Sequence, residues 1–507
     1  MRPRPCLFGS ILIVSLLSPL IAMAADLTGD WIVFTTRPDG SKLQLMLRLK
    51  QDGGSLTGIA SMPSSELAIQ NGKSSGEEFS FQVQMNFGER SRTVSYSGKL
   101  NGDEIQLTST AFEGRPPLAF TGRRATAAET AANWPQRIPP PPLHAVPDNG
   151  LARTPPMGWN SWNHFRGKVD DKTVREIADA MVANGMKNAG YTYVNIDDTW
   201  EAGRDAQGNI QSNSKFPDMK ALADYVHSKG LKIGIYSSPG TTTCAGFEGS
   251  YGHEAQDART WGAWGIDYLK YDWCSAAKIY QDSDMQPVYQ KMGDALQASG
   301  RPVVFSLCQY GRDGVWGWAP AVGGNSWRTT GDISDSWQSM SRIFFLQDGL
   351  EKWAKPGHWN DPDMLEVGNG GMTDVEYRTH MTLWCILAAP LLAGNDLRSA
   401  SQATLDILEN PEVIAVDQDS LGRQGHRVSL DASLGVWAKP LTDGSQAVAL
   451  FNGGAQTAKV SVKWANLGLK GSPQVRDLWA RADKGRVADG FSSDVPSHGV
   501  VLIKVKE

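Results

Sequence analysis

Between positions 255 and 307 the chain reads Ala255–Gly265, then Tyr268-Leu269-Lys270-Tyr271-Asp272, then Met285–Ala298, then Val303-Val304-Phe305-Ser306-Leu307. Each short run, rich in aromatic and β-branched residues, follows a segment of helical length. A strand that is apolar along nearly its whole length is buried on both faces, the condition of a parallel strand covered by helices. The same alternation extends upstream. Asp170 to Asn184 carries Val174, Ile177, Ala178, Met181 and Val182 at helical spacing, with Asp170 or Asp171 placed to cap it. Tyr193-Val194-Asn195-Ile196 follows as a strand, then Asp218–Lys229 as a helix, then Lys232-Ile233-Gly234-Ile235-Tyr236 as a strand. The pattern runs from about Leu151 to Gln424, and strand–helix alternation over ~270 residues predicts an eightfold β/α (TIM) barrel at 151–424. No GxGxxG follows the first strand, which weakens a dinucleotide-binding alternative.

The flanks read differently. Residues 26–124 are all-β, with alternating runs at Leu43–Leu49, Phe79–Met85, Thr93–Leu100 and Glu104–Leu107. Asp52-Gly53-Gly54, Asn71-Gly72 and Asn101-Gly102 read as turns between them. A phrase recurs as Leu56-Thr57-Gly58, Tyr96-Ser97-Gly98 and Phe120-Thr121-Gly122, read as equivalent strand ends in a meander. A small antiparallel barrel or sandwich of about eight strands is expected, as a packing or attachment module. Residues 125–150, with Pro139 to Pro142, read as a stiff linker. Residues 425–507 return to strands at Gly435–Ala438, Gln446–Phe451, Lys459–Trp464, Val475–Trp479 and Gly499–Val505, predicting an antiparallel β-sandwich. At the other end, Arg2 and Arg4, the apolar run Ile11 to Leu20 and the small-x-small Ala22-Met23-Ala24 form an export signal over 1–24, with cleavage after Ala24. The product is expected in the periplasm or outside the cell, without a membrane span.

Composition narrows the function. Over 507 residues the net charge is −5 and the pI about 6.0, so no basic field recruits nucleic acid. Thirteen of the 18 Trp lie between Trp159 and Trp384, and an indole offers sugar rings a flat apolar face. Beyond the leader the cysteines are Cys244, Cys274, Cys308 and Cys385; none sits in a CxxC or Cys/His cluster, which argues against zinc. Nothing in the sequence decides the oligomeric state.

In a β/α barrel the functional side chains gather at the C-terminal strand ends. Here these carry Asp197-Asp198, Tyr236, Lys270 with Asp272, Cys308-Gln309, Arg328 with Asp332, and Asp361 with Asp363. One such carboxylate could be a helix cap; four strands delivering Asp to one rim is harder to explain, because converging unpaired charge destabilises a fold. Several carboxylates with aromatic walls fit glycoside hydrolysis. Lys270 and Asp272, two apart on one strand, point to the same side, and a nearby ammonium favours the ionised carboxylate of a nucleophile. Asp332, on another strand, is placed to be the proton donor.

These residues also carry a resemblance. Leu151 to Trp162, with Met157-Gly158-Trp159-Asn160-Ser161-Trp162, is similar to the opening signature of glycoside hydrolase family 27, the α-galactosidase and α-N-acetylgalactosaminidase family. So are Ile196-Asp197-Asp198-Thr199-Trp200, Tyr268 to Asp272, Trp327-Arg328 with Gly331-Asp332-Ile333, and Trp359-Asn360-Asp361-Pro362-Asp363-Met364. The resemblance spans the barrel and enters the C-terminal sandwich but not residues 1–150. It implies a retaining α-galactosidase with Asp272 as nucleophile and Asp332 as acid/base. It further implies Asp197 and Asp198 on the sugar's 4- and 6-hydroxyls, Lys270 on the 3- and 4-hydroxyl side, and Arg328 near the 2-hydroxyl. Trp162 would be the apolar wall with Tyr236 beside it, Asp363 would lie near the acid/base, and Cys244 would be bonded to Cys274 beside the pocket. No metal or organic cofactor is implied.

The chain departs from the family pattern in places. Where the family often has Cys-Glu-Trp, this chain has Cys308-Gln309-Tyr310, and Gln309 is expected to read the 2-substituent without a charge. Ser326 stands where animal members have a cysteine, leaving Cys308 without a partner; Cys385 reads as a buried thiol. Trp273, after the nucleophile, is expected to narrow the leaving-group side, and Trp200 to border the pocket. The leading reading is an exported exo-α-galactosidase. The alternatives are another specificity on the same machinery (α-N-acetylgalactosaminide, β-L-arabinopyranoside or isomalto-dextran) and a non-catalytic sugar-binding protein.

Overall fold

A computed structural model describes residues 26–36, 42–62, 65–87, 90–110 and 117–507. The export signal read over 1–24 lies outside them. The chain divides into two compact units, essentially residues up to 127 and those from 128 onward.

In the first unit, nine strands form one antiparallel sheet. Gly29–Thr36 pairs with both Lys42–Asp52 and Ala119–Arg124, and Lys42–Asp52 pairs on with Ser55–Met62, so eight strands close a ring and Ser65–Ala68 stays off it. Alternation in these strands puts Trp31, Leu47, Phe81, Tyr96, Ile105 and Phe120 inside as an apolar filling. Two sequence readings need correcting. Asn71-Gly72 is not a turn: it lies within Gln70–Ser75, where Asn71 takes φ 51° and the register against Glu78–Phe87 shifts, a β-bulge. Gly58, Gly98 and Gly122 are not at strand ends but within strands, where neighbouring backbones pass close. A Cβ on Gly58 would sit 1.9 Å from the Arg48 carbonyl oxygen, and one on Gly122 2.3 Å from Val33 Cγ1.

The second unit holds the β/α barrel. Its eight strands are, in order, Met157–Asn160, Tyr193–Asn195, Lys232–Ser237, Tyr268–Asp272, Val304–Cys308, Ser326–Arg328, Trp359–Asp361 and Leu391–Ala393. All the pairings are parallel; the first strand pairs with both the second and the eighth, and a parallel bridge between Leu365 and Ala393 joins the seventh to the eighth. The helix Asp171–Ala183 is capped by Asp170, whose carboxylate accepts from Thr173 N. It buries Val174, Ile177, Ala178 and Met181, whereas Val182 faces solvent. Asp218 caps Met219–Ser228 in the same way, and Gly265 at φ 93° ends Glu254–Trp264.

Residues 128–150 do not hang free. After the short helix Ala127–Asn133 the chain runs along the barrel: Ile138 N donates to Tyr251 Oη, Gln290 Nε2 donates to the Pro142 carbonyl, and Val146 N donates to the Ala321 carbonyl. At the other end, His426–Asp431 opens a six-stranded antiparallel sheet, and Ala458–Lys463 pairs with Gly490–Val495 as a second. His426–Asp431, Ala482–Arg486 and Gly490–Val495 escaped the sequence reading because their residues are largely exposed and polar. The helix Asp374–Leu387, opened by a Thr373/Glu376 capping box, is buried between barrel and sandwich: Thr379 Oγ1 donates to the His498 carbonyl, and Trp479 Nε1 to Thr382 Oγ1.

Candidate active site

Seven strand ends and the loops after them line one pocket at the C-terminal rim of the barrel, which contains Trp162, Asp197, Asp198, Tyr236, Cys244, Lys270, Asp272, Arg328, Asp332 and Asp363. All of these were read from the sequence. The second strand stops at Asn195, which frees Asp197 and Asp198 from strand alternation and lets both reach the pocket. Asp197 is clamped: its Oδ2 accepts from Lys270 Nζ at 2.8 Å and from Asn160 Nδ2 at 2.9 Å. Asp198 Oδ2 accepts from Ala245 N at 2.8 Å and Oδ1 from Thr199 N at 2.7 Å. Burial, with Asp197 adding, pushes the Asp198 carboxyl up to about 7. Burial works against the Lys270 ammonium, but Asp197 and Asp272 overcome it and hold its pKa well above the ordinary lysine value.

Asp272 ends the fourth strand and lies deep, 5 % exposed. Burial raises its carboxyl to about 6, against the pull of Lys270 and of the Tyr310 hydroxyl, which donates to Asp272 Oδ1 at 2.5 Å. Asp332 lies at the mouth, its side chain 72 % exposed. Desolvation raises its pKa, but Arg328, Lys270 and Arg166 outweigh it and hold the carboxyl below its usual value. Arg328 Nη2 joins the two sides, 3.0 Å from Asp332 Oδ1 and 2.8 Å from Asp363 Oδ2. Asp363 is fixed further by Ile333 N, which donates to its Oδ2 at 2.9 Å. The pocket is therefore a dead end with a buried charged floor and one accessible carboxyl at its opening.

The Cys244–Cys274 disulfide is formed and borders the pocket, with the Tyr236 hydroxyl 3.0 Å from Cys274 Sγ. Cys308 and Cys385 are free and buried. Thr199, Tyr310 and Asp363 take φ of 85°, 65° and 103°, each just past a barrel strand. Left-handed backbone at non-glycine residues concentrates where a site demands it.

The structure corrects three expectations. Gln309 does not line the pocket; it is fully buried and its Oε1 accepts from Gly311 N. Tyr310 enters instead. Ser306 and Cys308 pair in register with Lys270 and Asp272, so the next residue on that side is 310, a signal that period-two reading carried. Trp273 does not narrow the opening: it is 1 % exposed and stacks on Tyr289 at 5.7 Å. Trp200 is also core, with Nε1 donating to the Tyr236 carbonyl. Asn163, Arg166, Ile333 and Met364 complete the lining and were not singled out from the sequence.

Comparison with known proteins agrees from residue 154 onward. Residues 154–419 match the family model described as "Alpha galactosidase A", and 431–505 the one described as "Alpha galactosidase C-terminal beta sandwich domain". The α-galactosidase of Cyamopsis tetragonoloba is 50% identical over 357 residues, covering 69% of this chain and 86% of that protein. Alpha-galactosidase A of Cellvibrio japonicus is 47% identical over 380 residues, covering 70% and 92%. The crystal structure of α-galactosidase I from Mortierella vinacea superimposes with a TM-score of 0.68 at 39% identity, covering 71% of this chain and 98% of that one.

Proposed function

The chain belongs to the α-galactosidase family, glycoside hydrolase family 27, and from that membership we propose an exported exo-enzyme that removes terminal α-galactosyl residues with retention of configuration. The observation that carries this reading is the depth order of two carboxyls in a dead-end pocket: Asp272 on the buried floor, Asp332 at the exposed mouth. A ring that enters such a pocket must be terminal. Its anomeric carbon meets Asp272, and its leaving oxygen points outward to Asp332. Asp272 forms the glycosyl–enzyme bond while Asp332 protonates the departing oxygen, and Asp332 then takes the proton of the water that releases galactose.

The first step needs Asp272 ionised and Asp332 protonated. Asp272 is pushed toward the protonated form and Asp332 toward the ionised one. Substrate supplies the change. A leaving group over Asp332 displaces its water and raises its pKa, while hydroxyls packed among Asp197, Asp198 and Lys270 replace water around the floor with fixed dipoles. Once Asp272 is glycosylated its charge is gone, and Arg328 and Lys270 again favour ionised Asp332, now as a base. Asp197 and Asp198 would hold the 4- and 6-hydroxyls, Lys270 the 3- and 4-hydroxyl side, and Arg328 the 2-hydroxyl region beside Asp363. Trp162 would cover the apolar ring face, with Tyr236 and Cys244 closing the side wall.

The test uses α-galactoside, α-N-acetylgalactosaminide, β-L-arabinopyranoside and α-glucoside substrates with proton NMR. The α-galactoside should be cleaved fastest and α-galactose should appear before its β-anomer. Preference for another glycoside overturns the specificity, and initial release of β-galactose overturns retention.

A further inference from the structure

We propose that Arg166 binds the leaving group, donating hydrogen bonds to the hydroxyls of a saccharide aglycone at the pocket mouth. The inference rests on the reading of Asp332 as the group facing the leaving oxygen. Arg166 follows the short helix Trp162–Phe165 and takes φ 51° and ψ −141°, a backbone conformation suited to glycine. The twist turns its guanidinium over the Trp162 ring, 5.5 Å from the centroid, where it lines the same pocket as Asp332. The residue is exposed, and its charge contributes to keeping the Asp332 carboxyl ionised.

The pocket's other arginine shows what is distinctive here. Arg328 is buried and engaged at both terminal nitrogens, Nη2 by Asp332, Asp363 and the Thr330 carbonyl and Nη1 by Cys308 Sγ, which leaves only its Nε without a partner. Among the described residues no hydrogen bond or ion pair engages the Arg166 guanidinium, so stacking holds it while its donors stay available. A planar fork of N–H groups at the edge of an indole suits the adjacent hydroxyls of a pyranose. A strained residue with unused donors beside the reacting carboxyl has the marks of a position kept for a ligand.

Galactose release is compared for melibiose, whose leaving group is glucose, and phenyl α-galactoside, whose leaving group offers no further hydroxyl. In Arg166→Gly the ratio of kcat/KM for melibiose to that for the phenyl glycoside should fall about tenfold or more, mainly through KM, as expected for lost charge-assisted hydrogen bonds. Arg166→Lys should recover part of the ratio. Because glycine relieves the backbone, the melting temperature of Arg166→Gly should hold or rise. A ratio within about twofold of the unaltered chain, or a marked fall in melting temperature, overturns the proposal. If the unaltered chain releases no galactose from either substrate, the galactosidase reading beneath it falls instead.

Discussion

The 26–124 barrel and the 157–393 barrel are both closed rings of eight strands, and they differ in what they bury. The first fills its interior with Trp31, Leu47, Phe81, Ile105 and similar side chains, so every inward residue contributes favourably by leaving water. The second packs apolar strand residues such as Val194, Ile233, Leu269 and Phe305 with those of its helices, yet at one rim it buries Asp197, Asp198, Asp272, Arg328 and Asp363 together, beside half-buried Lys270. Burying several ionised groups side by side is unfavourable unless each is paired and hydrogen-bonded; here Lys270 pairs with Asp197 and Arg328 with Asp363, while backbone N–H groups and the Tyr310 hydroxyl hold Asp198 and Asp272. Ring closure alone therefore says nothing about catalysis. Charge assembled against the solvation gradient does, and the 26–124 interior has none of it among its described core residues.

The contrast predicts how each barrel breaks. On the proposed mechanism Asp272→Ala leaves the galactosyl carbon without a nucleophile, and kcat should fall at least about a thousandfold. The fold should survive, because the substitution also removes a carboxyl that burial holds at about 6. Turnover within tenfold of the unaltered chain would move the nucleophile elsewhere. Trp31→Ala is the opposite experiment. Trp31 is fully buried, with Nε1 donating to the Leu27 carbonyl and the Arg124 guanidinium 4.1 Å from its ring. Its loss should destabilise the 26–124 unit by about 3–5 kcal/mol in denaturant unfolding while kcat/KM on an aryl galactoside changes little. A parallel collapse of activity would mean that the first barrel takes part in catalysis.

Legibility followed the same division. The catalytic barrel was readable because its strands are buried on both faces and its helices carry side-chain caps at Asp170 and Asp218. Lys270 and Asp272 were readable because period two needs no tertiary knowledge. The same rule, carried from Ser306 and Cys308, points to Tyr310; the expectation at Gln309 came instead from the family's Cys-Glu-Trp pattern. Trp200 and Trp273 misled for another reason: pocket and core indoles are identical in composition, and only burial separates them. Arg166 was invisible because its place depends on a backbone twist at a helix end. In the first barrel, Asn71-Gly72 has the composition of a turn, but the ladder on both sides turned it into a bulge.

The finest probe of the charged rim is Tyr310→Phe, which removes one hydroxyl and no charge. That hydroxyl donates to Asp272 Oδ1 and stabilises the carboxylate against burial. Without it the carboxylate is less favoured, so the pKa of Asp272 must rise from about 6. In the proposed mechanism Asp272 acts ionised, so the acidic limb of the kcat/KM profile should report this group in the free enzyme. The limb should move to higher pH by roughly half to one unit, the scale of one neutral hydrogen bond. Stability follows with a defined sign. A carboxyl whose folded pKa exceeds its unfolded one stabilises the fold fully below the unfolded value of about 3.9, and that contribution is lost as pH rises through the folded value. Tyr310→Phe widens this window, so the variant should lose more stability than the unaltered chain between about pH 4 and pH 7. An unmoved acidic limb would show that Tyr310 only walls the pocket and that Lys270 alone sets the charge of the nucleophile.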